Sequence, residues 1–127
     1  MNITVLGIAG GTGSGKTYTA KSLLNEYPQD SILTISMDSY YKDLSHIDHK
    51  KRLEQNFDHP DSIDVNLLEN HLELASKGNK INIPIYDFSN HVRLGEAVSI
   101  SNAKIIIVEG IFALHFPQLR KLYTLKI

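Results

Sequence analysis

The stretch GGTGSGKT at residues 10–17 follows the short apolar run ITVLGIA. It precedes a segment in which Ala20, Leu23, Leu24 and Tyr27 recur at i, i+3, i+4 and i+7 before Pro28. Residues 3–8 form a nearly continuous apolar run of strand length, the pattern of a strand buried on both faces of a parallel sheet. The periodic segment from Lys16 reads as an amphipathic helix closed by Pro28. SILTIS at 31–36 supplies a second strand, and strand, helix, strand over about thirty residues is a βαβ unit. The turn inside that unit fits G-x-x-x-x-G-K-[ST] with Gly10, Gly15, Lys16 and Thr17, in the strand–loop–helix context that a phosphate loop requires. In such a loop the backbone amides of Gly10, Gly11, Thr12, Gly13, Ser14 and Gly15 curl around phosphate oxygens with no Cβ in the way. Lys16 reaches the β/γ-phosphates and Thr17 offers a hydroxyl to Mg²⁺. The plain alternative is a Gly-rich turn that only caps a helix.

Charge decides how an anion could be held. With 13 Lys and Arg against 14 Asp and Glu the net charge is −1, so no diffuse basic field exists for nucleic acid or anionic lipid. A phosphate must be caught locally, by the loop. The absence of cysteine excludes disulfides and thiolate metal sites and fits a reducing compartment. Residues 3–9 are too short to span a membrane and lack a basic flank or cleavage site, so a soluble, cytoplasmic protein is expected. At 127 residues, with no repeat or linker, one domain over 1–127 is the simplest organisation.

Further along, residues 37–62 are polar and rich in aromatics and histidine, too long for a plain connection, with a short helix expected over 48–54. Asp64 reads as the N-cap of a helix in which Val65, Leu68, Leu72 and Ala75 share a face, ending at Gly78. INIPIYDF and EAVSI alternate with period two across a polar turn, which predicts a small antiparallel pair off the main sheet. KIIIVEG at 104–110 reads as the central parallel strand. Pro117 suits the first turn of a short helix over 117–123, and TLKI begins another strand.

Two carboxylates sit where chemistry would want them. Glu109 ends the apolar strand IIIVE, so it should emerge at the C-terminal edge of the sheet, where open α/β folds bind ligands, and an acid there can hold Mg²⁺ opposite Thr17. The alternative is a carboxylate that caps the following turn. Asp38 follows the strand ILTIS at the same edge, suited to orient an alcohol acceptor and take its proton; a turn-forming Asp is the competing reading. His46 and His49, with His59 nearby, could suggest a metal site, but their charged, solvated neighbourhood argues against one. His71 and His115 read as ordinary surface or packing residues, and Lys50, Lys51 and Arg52 as a solvated face.

GGTGSGKT, MDSYYKD, NFDHPDSID, IPIYDFSNHVR and VEGI, in this order and spacing, make the chain resemble the uridine kinase (uridine/cytidine kinase) family from its first strand to its last residues. Phosphoribulokinase and pantothenate kinase share the broader fold. The resemblance implies an α/β P-loop kinase of three layers with a mostly parallel sheet, and ATP- or GTP-dependent phosphorylation of uridine or cytidine at the 5′-hydroxyl with Mg²⁺. It implies that Asp38 is the base for the 5′-hydroxyl, that Tyr41 lines the nucleoside pocket, and that Asp58 holds the ribose hydroxyls with Phe57 as a wall. Tyr86 and His91 would read the pyrimidine edge while Phe88 packs on the base. Aromatic faces grip a flat base, and one His can donate to a carbonyl or accept from an amino group. Without the motif, Tyr86 and Phe88 would read as cross-strand packing.

Family members carry, beyond the strand begun by TLKI, an Arg-rich lid and a last strand and helix. The fold is therefore expected to be incomplete at its C-terminus, with a bare sheet edge that favours a homo-oligomer. A catalytically weak nucleotide-binding fragment, or a kinase of the phosphoribulokinase or pantothenate kinase type, is the alternative function.

Overall fold

The computed structural model describes residues 3–9, 25, 28, 31–52, 60–87, 89–90, 92–99 and 103–126. The described elements are β1 (Thr4–Ala9), β2 (Ile32–Ser36), a 3-10 turn (Met37–Tyr40), α1 (His49–Arg52), a second 3-10 turn (Pro60–Ser62), α2 (Val65–Ser76), β3 (Ile81–Asp87), β4 (Val92–Ser99), β5 (Ile105–Gly110), α3 (Pro117–Arg120) and β6 (Leu125–Lys126). The helix expected over 16–27 falls on residues outside those described, apart from Asn25.

Four strands form a parallel sheet in the order β2-β5-β1-β6. The most apolar run of the sequence lies in the middle as expected, with β5 flanked by β1 and β2. Successive side chains of a strand point to opposite faces, and here both faces are buried. Val5, Ile106 and Val108 join one core cluster with Ile35, Met37, Tyr40, Leu68, Leu72, Ala75, Leu119 and Tyr123. Leu6, Ile8, Ile105 and Ile107 form another, with Ile32 against it. Each such side chain contributes about 1.5–3 kcal/mol when fully withdrawn from water, so these strands are the principal apolar anchor of the described fold.

The sheet closes at β6 through side chains as well as backbone. The Thr124 amide donates to the Val5 carbonyl at 2.7 Å, and the Val5 amide donates to Thr124 Oγ1 at 3.1 Å. The Tyr123 ring lies against Gly7, where a Cβ would overlap its ring carbons, and its hydroxyl donates to the Ala113 carbonyl at 2.6 Å. Glycine in the middle of β1 thus makes room for an aromatic ring.

α2 packs Leu68, His71, Leu72 and Ala75 inward, and Asp64 caps it by accepting from the Leu67 amide at 3.3 Å. The helix runs out just before Gly78, whose φ of 84° suits glycine. β3 and β4 form the expected antiparallel pair as a separate two-stranded sheet. β4 starts at Val92, four residues before the expected EAVSI segment, and a register shift between Ile85 and Tyr86 places Tyr86 opposite Arg93. α3 is shorter than expected, four residues, while α1 begins within the expected 48–54 segment and residues 53–54 lie outside those described. Among the described residues no helix is long and apolar enough to cross a membrane.

Candidate active site

The parallel register sets one edge of the sheet. Ser36 of β2 and Ile8 of β1 both lie level with Glu109 of β5, so the three strands end together at their C-terminal side. Glu109 is exposed there. Its neighbour Gly110 has φ 152°, and a Cβ on it would sit 3.0 Å from the Met37 side chain. Only glycine lets the end of β5 pass that close to the segment leaving β2.

That segment is the 3-10 turn Met37–Tyr40. Met37 and Tyr40 are buried while Asp38 is exposed between them. Ser36 caps the turn by accepting from the Asp38 amide at 3.3 Å. Two buried anchors and one cap therefore present Asp38 two residues beyond the level of Glu109. β1 ends at Ala9 on the same edge, and residues 10–17 follow it in sequence.

Tyr40 is tied to α2, its hydroxyl 2.7 Å from His71 Nδ1 and the two rings edge to face at 5.5 Å. Burial pushes the Tyr40 hydroxyl well above the usual tyrosine range, with Arg93 opposing. Burial is also the main cause that lowers the His71 pKa; the Arg93 charge adds to it, while Glu96 and Asp64 act the other way. His71 is thus a buried packing residue holding a polar contact.

Beyond Tyr40 the chain pairs with the segment entering α2. The Asp64 amide donates to the Tyr40 carbonyl at 2.7 Å and the Lys42 amide to the Ser62 carbonyl at 2.9 Å, around a bridge between Tyr41 and Ile63. The rings of Tyr41 and Tyr86 meet edge to face at 5.5 Å, so the structure brings together two of the expected pocket aromatics from distant parts of the sequence. Tyr86 is buried and Tyr41 half-buried. Gly10, Gly11, Thr12, Gly13, Ser14, Gly15, Lys16, Thr17, Phe57, Asp58, Phe88 and His91 lie outside the described residues, as do His59 and the His49 side chain; His46 is exposed.

Sequence reasoning missed the polar cluster behind the two tyrosines. Arg93 Nη2 donates to the Tyr41 carbonyl at 3.3 Å and to Asp64 Oδ2 at 3.1 Å, and the Arg93 amide donates to Asp43 Oδ1 at 3.2 Å. Asp43 also accepts from the Ser45 amide and hydroxyl. Burial pushes the Asp43 carboxyl up, but the Ser45 and Arg93 hydrogen bonds and the Arg93 charge outweigh it and leave it below its ordinary value. The available signal was a lone arginine in a strand whose only other charge is Glu96, easily taken for a solvated side chain.

Glu109 is an exposed hard-oxygen donor at a strand edge, which fits Mg²⁺; that ion takes one or two carboxylates and completes its shell with water and phosphate oxygens.

The phosphoribulokinase / uridine kinase family profile matches residues 5–127. Among curated proteins, a uridine kinase of Clostridium novyi is 47% identical over all 127 residues, which are 61% of its own length. One of Staphylococcus haemolyticus is 41% identical over 126 residues, 99% of this chain and 61% of that protein. The chain thus spans about three fifths of the curated relatives it matches. Among solved structures, a Bacillus stearothermophilus protein described as a possible uridine kinase superposes with a TM-score of 0.69 at 23% identity, over 99% of this chain and 70% of that one. Phosphoribulokinase from Rhodobacter spheroides gives 0.71 at 11% identity, over 98% and 50%. These likenesses establish the P-loop kinase fold, with its parallel sheet and added antiparallel pair, and the profile match, together with relatives above 40% identity, establishes the lineage: the chain belongs to the phosphoribulokinase / uridine kinase family.

Proposed function

We propose that the protein carrying this chain transfers the γ-phosphoryl group of ATP or GTP to the 5′-hydroxyl of uridine or cytidine. The observation that carries the reading is the common edge: Asp38 exposed just past β2, Glu109 exposed at the end of β5, and β1 ending level with them before the phosphate loop. Relatives called uridine kinases at 41–47% identity favour a nucleoside acceptor.

In this reading Lys16 and the amides of residues 10–17 hold the donor phosphates, and Thr17 and Glu109 would hold Mg²⁺. Bound there, Mg²⁺ supplies neutralisation of charge on the phosphate oxygens. Asp38 orients the 5′-hydroxyl and accepts its proton as the O5′–P bond forms and the bond from the γ-phosphorus to the β-phosphate oxygen breaks, releasing the nucleoside diphosphate. Tyr41, Phe57 and Phe88 enclose the nucleoside, Asp58 takes the ribose hydroxyls, and Tyr86 and His91 read the base edge. One domain, a cytoplasmic location and self-association complete the proposal.

The test is uridine- and cytidine-dependent ADP release, with Lys16→Ala and Asp38→Asn beside the parent protein and a melting curve for each. Both variants should melt like the parent, because Asp38 is exposed and the Lys16 charge is needed on phosphate. Lys16→Ala should lose turnover, and Asp38→Asn should lose about 10²-fold or more. Turnover with ribulose 5-phosphate and none with nucleosides would overturn the reading.

A further inference from the structure

The Tyr41–Tyr86 pair is assembled from two segments 45 positions apart in sequence, and ring contact alone is a weak reason for them to stay in register. Tyr41 belongs to the strip leaving the Asp38 turn, and Tyr86 to a hairpin whose strands pair only with each other among the described residues. An edge-to-face contact contributes about 0.5–1.5 kcal/mol, too little to fix a hairpin against thermal motion. Ile81 and Ile83 seat the start of β3 against the core, and at the Tyr86 end one side chain adds a directional tie.

Arg93 lies directly opposite Tyr86 in the β3–β4 ladder, at the register shift. Its backbone amide reaches the Asp43 carboxylate, and its guanidinium reaches both the Tyr41 carbonyl and the Asp64 carboxylate. The ion pair is largely enclosed, with the two side chains 24% and 34% exposed. Asp64 is itself fixed: its other oxygen caps α2, and its amide bonds to Tyr40. One residue therefore joins the hairpin, the Tyr41 strip and the start of α2, and charge-assisted hydrogen bonds of this kind are the strong ones. The guanidinium is engaged by the Tyr41 backbone and the Asp64 carboxylate.

We propose that Arg93 is a positioning residue that sets the separation between the Tyr86 hairpin and the Asp38–Tyr41 segment, and so tunes affinity for the nucleoside independently of the donor nucleotide. This rests on the nucleoside-kinase reading above. The phosphate loop follows β1, which among the described residues shares no hydrogen bond with the Arg93 cluster, so loosening the cluster should leave donor binding alone. A residue needed only for folding would weaken both substrates or neither.

The experiment is steady-state kinetics on the protein carrying this chain, with nucleoside and ATP varied in turn, for Arg93→Ala, Arg93→Lys, Asp64→Ser and the Arg93→Ala/Asp64→Ser double variant. Asp64→Ser keeps an oxygen to cap α2 while removing the partner of the guanidinium. Arg93→Ala should raise the KM for uridine and cytidine about tenfold, as expected when a half-buried partner is left unpaired. The KM for ATP should stay within about twofold. Arg93→Lys should recover part of the loss, and the double variant should be no worse than Arg93→Ala, since both remove the same interaction. Equal changes in both KM values, or additive losses in the double variant, would overturn the proposal. If Arg93→Ala does not melt cooperatively, Arg93→Lys and Asp64→Ser decide: an unchanged nucleoside KM in both also overturns it. A parent protein with no nucleoside-dependent turnover would defeat the kinase reading and this inference with it, whereas parent turnover with substrate-blind variants defeats the inference alone.

Discussion

Strands β1, β2 and β5 hold Glu109 and the Asp38 turn through burial: β1 and β5 are covered on both faces, with Ile106 and Val108 wholly enclosed, and Ile35 of β2 is buried beside them. The β3–β4 hairpin holds Tyr86 differently. Its Ile81 end packs into the same core, but toward Tyr86 the side chains of Ile85 and Leu94 are exposed, and the described polar ties from the hairpin to the rest of the site run through Arg93, Asp43, Asp64 and the Tyr41 carbonyl. In the proposed kinase the phosphate-handling edge would have to keep charges at fixed positions through a turnover, and a two-sided core does that. A wall that admits a substrate can be held by a few directional bonds instead. The difference teaches that one site can combine an edge set by packing with a wall that packing seats at one end and hydrogen bonds fix at the other, and that the two should fail in different ways.

The largest expected effect separates them by stability. Ile106→Ala removes a fully enclosed side chain from the central strand and should cost about 2–5 kcal/mol. Leu94→Ala, on the hairpin at 67% exposure, should stay within about 0.5 kcal/mol. Urea or thermal melts of both variants measure the contrast. Comparable losses would mean that the hairpin is as much a part of the core as the sheet and would break the distinction.

The two regions also differed in how far they could be read from sequence. Continuous apolar runs such as IIIV have one good use, a strand covered on both faces, so β1, β2 and β5 and their shared edge were legible, and with them the placement of Glu109 and Asp38. The cap at Asp64 and the inward face of α2 were legible for the same reason, a period of 3.6 with a recognisable start. The start of β4 was not. VRLG shows no alternation and contains glycine, so propensity placed the strand at Glu96, whereas the bulge at Tyr86 and the anchoring of Arg93 extend the pairing back to Val92. The role of Arg93 was illegible because its partners, Asp43 and Asp64, lie 50 and 29 positions away. His71 was read only as surface or packing because nothing local announces that Tyr40 waits for it across the core.

A smaller effect probes the far side of the sheet. Gly7 lies under the Tyr123 ring, with no room for a methyl group, so Gly7→Ala overpacks β1 and should cost about 1–3 kcal/mol. The strain should show in the melting temperature, and Tyr123→Leu in the same background should recover part of it. If Gly7→Ala is neutral, β6 is free to withdraw from β1, and the sheet is less rigid than its burial implies. The hairpin has no such position: a Cβ on Gly95 would meet nothing within 4 Å, so Gly95→Ala, which tightens the unfolded chain, should be neutral or slightly favourable.

The smallest expected effect lies where the two regions meet. Tyr40 follows β2, its hydroxyl contacts His71 on α2, and the charges that His71 feels include Arg93 and Glu96 of the hairpin as well as Asp64. Burial holds the His71 pKa below its unfolded value of 6.5. Between those two values the unfolded chain binds more protons than the folded one, so stability rises with pH across that window. The contribution from keeping His71 neutral is complete above the unfolded value and is lost as pH falls below it towards the depressed folded value. Melting temperatures measured from about pH 7.5 down to about pH 5 should therefore decline, and His71→Gln, which keeps a hydrogen-bonding partner for Tyr40 but does not titrate, should decline less over the same range. Arg93→Lys retains the cation and should not reproduce that flattening, whereas Arg93→Ala should raise the folded His71 pKa towards 6.5, narrow the window and make the decline smaller. If His71→Gln and the parent lose stability in parallel, the imidazole is not the group that links the sheet to the hairpin, and the joint rests on the Arg93 cluster alone.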